Sequence, residues 1–308
     1  MSIKYSAAIR LVRDNAFLHR ALHALQQQSV LPREILIVIP YDAVPWETGC
    51  SSVHAAQGMV AQHAQEILAS QSAHLILMDD DIVLDRSACE VLLCALRTNN
   101  ADIFVPYWRE GWLRCKLARL FYTFWGMALP LYVEGIKYTA GGGFYYPLSE
   151  PGVNESWTTS AGDGKVIALD RTLASQQACL GDPELQDIAV YALREDGAFV
   201  SALARQGARA IMVSGAQFEY LGGTTLLDPK KFYVRFKPQV YIHYLSWLRC
   251  IKPDYERTLF GKFYVYLMFS WYVLGVFFLA GIISFKHRTF SLCVVLGTRF
   301  MSAIGAMY

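Results

Sequence analysis

Long basic runs are missing from this chain. Its formal net charge is only +2 over 308 residues, and no stretch has the density of cations that tracks a phosphate backbone, so no nucleic-acid partner is expected. Cysteine is sparse and unpatterned. Cys50, Cys89, Cys94, Cys115, Cys179, Cys250 and Cys293 are seven, an odd number, and never form a Cys-x-x-Cys. Neither a disulfide framework nor a zinc site is expected, and the thiols read as reduced, mostly buried and cytosolic. Met1 to Arg10 lacks a basic segment followed by a long apolar run, so no signal peptide is expected and the N-terminal domain should stay where it is made. His19, His23, His54, His74, His243 and His287 show no metal-ligand spacing and read as structural or exposed.

What the chain has in excess is apolar surface. It is 54% hydrophobic and 14% aromatic, rich for a purely soluble protein, and part of it is expected to meet lipid. Its length suits one large α/β domain with an appendage.

The first two hundred residues alternate between short β-branched runs and helical periodicity. Ser6 to Val12 is apolar, Ala16 to Gln28 carries Leu18, Leu22 and Leu25 on one face, and Glu34 to Ile39 follows Pro32. Two strands joined by a helix imply parallel pairing with a right-handed crossover. The pattern continues with a helix from about Ala55 to Ala69, strand His74 to Met78, helix Arg86 to Arg97 and strand Asp102 to Val105. Gly111 to Glu155 is aromatic and glycine-rich. Then come a strand-like Lys165 to Leu169, a helix Glu195 to Gln206 stopped by Gly207, and a strand Ala210 to Val213. An open α/β sheet is the expected core. Gly141-Gly142-Gly143 precedes Phe144-Tyr145-Tyr146-Pro147 rather than a helix with Lys and Ser or Thr, so it reads as a mobile loop and not a phosphate loop.

Past residue 225 the composition changes. Phe263 to Phe285 is uncharged and bracketed by Lys262 and Lys286, long enough to cross a hydrocarbon core and lacking the polar face of a buried helix. Thr289 to Tyr308 is also apolar but carries Arg299; it returns across the membrane or lies in the interface. Arg249, Lys252, Arg257 and Lys262, set against Lys286 and Arg288, place the large domain on the cytosolic side of the inner membrane. The division expected is 1–225 catalytic, 226–262 linker and juxtamembrane helices, and 263–308 membrane anchor. A further apolar piece, Leu120 to Val133, follows Arg114, Lys116 and Arg119; an interfacial helix and a core helix with a basic edge are both open readings.

The chemistry is concentrated in carboxylates. His74 to Met78 delivers Asp79-Asp80-Asp81 at the C-terminal end of a strand, the end that faces the ligand crevice in an open α/β sheet. Adjacent carboxylates repel one another and pay for desolvation, so a site that keeps three together is expected to hold a cation such as Mg²⁺ or Mn²⁺. Strand alternation would put Asp79 and Asp81 on one face. A second acidic pair, Glu195-Asp196, opens the helix with Ala198, Phe199, Ala202 and Leu203 inward. By itself that pair is explained as a partner of the helix dipole. With a first carboxylate cluster in the same domain, it also suits a general base that deprotonates a hydroxyl.

In order and spacing these motifs resemble the family 2 glycosyltransferases. Gln28 to Glu34 with the following Ile-Leu-Ile-Val-Ile, Gln57-Gly-Met-Val-Ala-Gln62, Asp79-Asp80-Asp81, Gly164 to Arg171, and Glu195-Asp196 followed by Gly207 carry the likeness over about residues 5 to 225. The resemblance implies a GT-A fold with a mixed, mostly parallel sheet, followed here by C-terminal transmembrane or interfacial helices. It implies an inverting, metal-dependent transfer from a nucleotide-sugar. Asp79, Asp80, Asp42 and Gln62 would contact the nucleotide-sugar, Asp81 with Asp79 the Mn²⁺ or Mg²⁺, Asp196 would be the base and Glu195 its neighbour. A lipid-linked or saccharide acceptor and membrane lipids would be the partners, in cell-surface polysaccharide or glycolipid synthesis. Some positions depart from the family: Asp42 stands in for the usual acidic residue after the second strand, His63 for an arginine, Ala198 and Ala202 for an acid and an arginine, and Tyr220 for a histidine. A sugar nucleotidyltransferase and an inactive membrane scaffold are the alternatives.

Overall fold

Six consecutive buried residues, Tyr5–Arg10, form strand β1, and such uninterrupted burial is what a strand covered on both faces requires. A computed structural model describes residues 4–11, 17–39, 52–55, 59–98, 101–108, 115–152, 155–162, 165–172, 195–221 and 243–286. After β1 come helix α1 (Leu18–Gln26), β2 (Glu34–Ile39), β3 (Ser52–Ala55), α2 (Met59–Ala69), β4 (His74–Asp79), β5 (Ile82–Leu84), α3 (Ala88–Thr98) and β6 (Ile103–Pro106). Next are α4 (Lys116–Phe124), β7 (Ala128–Leu131), β8 (Lys137–Tyr138), β9 (Phe144–Pro147), β10 (Ser156–Thr158) and β11 (Val166–Asp170). The remaining elements are α5 (Glu195–Arg205), β12 (Ala210–Val213), β13 (Phe218–Tyr220), a π-helical turn Trp247–Ile251, α6 (Lys252–Tyr255) and α7 (Leu259–Lys286).

The chain divides into two compact units: residues 1–108, 134–136 and 149–222, and residues 109–133, 137–148 and 223–308. The first unit is an α/β fold with a mixed eight-stranded sheet in the order β10-β12-β6-β11-β4-β1-β2-β3. Its β4-β1-β2-β3 half is parallel, whereas β11 runs antiparallel between β4 and β6. One apolar cluster packs α1 and α3 against one face, through Leu18, Leu22, Leu92 and Leu96 among others, and a second packs Ile67 of α2 with Phe199, Val200 and Leu203 of α5 against the other. A separate ribbon pairs β13 with β5.

Three local expectations are corrected. The helix expected from Ala55 starts at Met59, because Ser52–Ala55 pairs with β2 as a sheet edge; four residues are too few for alternation to show. The apolar piece Leu120 to Val133 is not one helix. It turns at Gly126, whose φ is +63°, and continues as β7 beside β9; α4 ends at Phe124 and buries no residue, which excludes the core-helix reading. The Gly141-Gly142-Gly143 stretch is a packed turn rather than a mobile loop. Thr139 N–H donates to Gly143 O and Gly142 N–H to Thr139 O. A Cβ at Gly143 would stand 2.2 Å from Gly126 O, and one at Gly141 would stand 2.6 Å from Met268 O.

The second unit is built around α7. Val265 joins Ala140, Trp247, Cys250 and Ile251 in a buried cluster, while Phe260, Phe263, Leu267, Leu274, Phe278 and Phe285 stay exposed. Their spacing of three, four or seven residues puts these exposed side chains on one helical stripe. α4 packs on α7 through aromatic rings, Phe121 on Phe278 and Trp125 on Trp271 at centroid distances of 6.2 and 4.9 Å, and Trp271 Nε1 donates to Phe124 O. By length and composition, α7 is able to cross a membrane.

Candidate active site

Register brings the first two charges together. β1 and β4 are parallel neighbours, and their last residues, Arg10 and Asp79, are direct partners, so both side chains leave the sheet at its C-terminal edge. Arg10 is 1% exposed, and its Nη2 and Nε donate to Asp79 Oδ1 at 2.6 and 3.1 Å. A guanidinium this deep needs carboxylate partners to offset its desolvation.

Two helices complete the cluster. Asp196, in the first turn of α5, places Oδ1 3.4 Å from Arg10 Nη2 and 2.7 Å from His63 Nε2. His63 and Glu66 lie one turn apart on α2, and His63 Nδ1 is 2.9 Å from Glu66 Oε2. Arg10 Nη1 lies 2.6 Å from His63 Nε2. The result is a buried line of ionisable groups, Glu66, His63, Asp196, Arg10, Asp79, drawn from α2, α5, β1 and β4, in which burial outweighs the neighbouring cations and raises both Glu66 and Asp79. Burial and Arg10 push the imidazole down, but hydrogen bonds to Asp196 and Glu66 raise it to about 9; a carboxylate at each ring nitrogen favours the form that donates from both. Burial pushes Asp196 up, yet Arg10 and His63 outweigh it and leave it lowered to about 2, so Asp196 is ionised at neutral pH.

Asp80 and Asp81 are differently placed. β4 ends at Asp79, so both stand in the turn to β5, and the strand alternation expected to align Asp79 with Asp81 does not extend that far. Asp81 O accepts from Leu221 N–H at 2.8 Å, tying this turn to the end of β13. Burial and the neighbouring aspartates raise Asp80 to about 8; burial and Asp79 raise Asp81 to about 6. Asp81 Oδ1 is buried with no hydrogen-bond partner. An orphaned carboxylate oxygen among mutually repelling acids fits a divalent cation, which takes one or two protein carboxylates and fills its shell with waters and phosphates. Among the described residues no three His, Cys, Asp or Glu side chains converge as a complete protein shell.

Of the other residues singled out in the sequence, Gln62 is buried and its amide donates to the main-chain carbonyls of Leu11 and Val38. Glu195 opens α5, and its side chain lies outside the described residues, as does Asp42. Sequence reasoning passed over Arg10, Glu66 and Lys165. Arg10 had a signal, a lone charge ending an apolar strand; Glu66 had another, an acid one turn after a histidine on a largely apolar helix. Lys165 precedes β11, and its Nζ sits 5.4 Å from the Trp108 ring and 5.5 Å from the Tyr220 ring, beside Asp81, whose acidity it favours.

No family model and no curated protein matches the sequence. Solved structures do match its fold. One is a mannosyltransferase, PcManGT from Pyrobaculum calidifontis, in complex with GDP-Man and Mn²⁺; at 13% identity it aligns with 99% of this chain and 80% of its own, with a TM-score of 0.51. Another is S. aureus TarS 1–349, at 10% identity over 92% of this chain and 74% of that one, with a TM-score of 0.47. The likeness to PcManGT is one of fold: the first unit is an α/β fold with a mixed sheet of the kind found in that glycosyltransferase.

Proposed function

We propose that the protein is a membrane-attached, metal-dependent, inverting glycosyltransferase of family 2 with a GT-A catalytic unit. It would move a sugar from a nucleotide-sugar to a lipid-linked or saccharide acceptor at the cytosolic face of the inner membrane. The observation that carries this reading is the convergence, at the C-terminal edge of the sheet, of an ionised Asp196 with Asp79 on Arg10, where Asp79 leads straight into the Asp80-Asp81 turn whose Asp81 Oδ1 has no partner. The fold it shares with a mannosyltransferase that binds GDP-Man and Mn²⁺ supports the same assignment.

Asp81 is the residue that would hold Mn²⁺ or Mg²⁺, with Asp80 beside it. The ion, when bound, supplies positive charge for a departing nucleoside diphosphate. Asp196 accepts the acceptor's hydroxyl proton as the oxygen attacks the anomeric carbon, and a single displacement inverts that centre. Arg10 bonds both Asp79 and Asp196, holding them at a fixed separation, and favours the ionised form of Asp196. Attachment to the membrane confines enzyme and a lipid-linked acceptor to one surface and raises their effective concentration. Two results test the donor site. Asp81→Ala should weaken nucleotide-sugar binding measured in Mn²⁺ while leaving the thermal unfolding transition in place. Unchanged affinity in that variant, or full activity in EDTA, sinks the metal role, and release of pyrophosphate instead of nucleoside diphosphate would mark a nucleotidyltransferase.

A further inference from the structure

We propose that His63 and Glu66 are positioning residues for Asp196: Glu66 anchors the imidazole, and the imidazole aims the carboxylate. This rests on the transferase reading and names residues that reading does not use. His63 and Glu66 are 4% and 0% exposed, so neither reaches solvent or a substrate directly. His63 Nδ1 lies 2.9 Å from Glu66 Oε2, and Nε2 lies 2.7 Å from Asp196 Oδ1 and 2.6 Å from Arg10 Nη1. Its face is stacked on Phe199 of α5, with a 5.5 Å centroid distance and planes 12° apart, which blocks ring rotation. Arg10 and His63 both meet Asp196 at Oδ1, so the plane of the carboxylate is set from two directions.

Glu66 is costly where it stands. Its Oε1 is buried without a partner, in a stretch that buries the apolar Ala64 and Ile67 together with the polar Gln62, His63 and Ser70. A leucine there would bury no orphaned oxygen of its own, but it would take the partner away from His63 Nδ1. Among the described residues the Glu66 carboxylate's hydrogen bond is to His63, so the carboxylate is placed to orient the imidazole. A carboxylate behind an imidazole fixes the direction of the ring, and the group in front inherits that precision.

The experiment uses the full chain in detergent with Mn²⁺ and whichever of GDP-mannose, UDP-glucose and UDP-N-acetylglucosamine gives the largest thermal shift. Hydrolysis of the donor, with water as acceptor, reads turnover. Glu66→Leu and His63→Phe should lower kcat roughly ten- to a hundredfold with donor Kd within about twofold. Glu66→Gln, whose amide oxygen still accepts from Nδ1, should recover most of the loss. In an Asp196→Asn background His63→Phe should cost little more, because residues acting as one unit are non-additive. Wild-type kcat in His63→Phe, or an equal loss in both backgrounds, overturns the proposal. Nitrogen-15 spectra of the histidines stay informative if His63→Phe fails to fold: the His63 ring signals should move in Asp196→Asn and in Glu66→Leu, and signals unmoved in both overturn it. A wild-type chain that binds and cleaves no donor counts against the transferase reading instead, and the spectra then decide the positioning role alone.

Discussion

Asp196 is worth most to turnover where it is worth least to binding. A base removes its proton only in the transition state, so Asp196→Asn should lower kcat by about 10² to 10⁴ while leaving donor Kd nearly unchanged. Near-normal turnover in that variant places the base elsewhere. Arg10 is a stability residue first. Arg10→Ala would strand Asp79 and Asp196 as buried acids, and breaking a buried pair in this way costs about 3–5 kcal/mol; denaturant titration of the detergent-solubilised chain measures it. Acid stability follows from the sign of the Asp196 shift. Its folded-state value, about 2, lies below the ordinary value near 4, so its contribution is complete above about pH 4 and is lost as pH falls towards 2. Asp196→Asn should flatten this part of the curve of unfolding temperature against pH.

At the scale of elements, the glycine turn between β8 and β9 is where backbone meets backbone. A Cβ at Gly143 would lie 2.2 Å from Gly126 O and 2.5 Å from Met127 O, and neither atom belongs to a flexible side chain. Gly143→Ala should therefore destabilise the second unit, whereas Gly281→Ala in α7 meets nothing within 4 Å and should be tolerated. Comparing the two unfolding temperatures separates close approach from a general penalty for losing glycine. The α4 helix depends on α7 in a similar way. A Cβ at Gly275 would stand 2.4 Å from Trp125 Cβ, so Gly275 is what lets the Trp125 ring lie against Trp271.

For the whole molecule, α7 has two faces with different solvents. One buries Val265 and Tyr272 among the second unit's own residues, and the other exposes a stripe from Phe260 to Phe285. An apolar stripe of that length is expected to meet lipid. The full chain should float with phospholipid vesicles and need detergent once they are dissolved; recovery as a monomer without detergent would make α7 a helix of a soluble protein. Ending the chain at Lys252 should not yield a well-behaved soluble domain, since it removes Val265 from the cluster that covers Trp247 and Ile251.

The sequence by itself determined many of the first unit's elements, because β-branched runs and leucine periodicity are local signals: β2 and β12 lie where the pattern puts them. It also determined that Asp79, Asp80 and Asp81 sit at a strand's C-terminal end, and that a long apolar helix lies near residue 270. Where the signal was short or depended on pairing, it was silent: β3 exists through its bonds to β2, and β7 through its bonds to β9. Only the tertiary structure joined residues 109–133 and 137–148 to 223–308, since contacts between distant segments leave no periodicity. It alone decided the charge line as well. Arg10, His63, Glu66 and Asp196 are separated by up to 186 positions, and what brings them together is the register of β1 with β4 and the docking of α2 and α5 on the same face of the sheet.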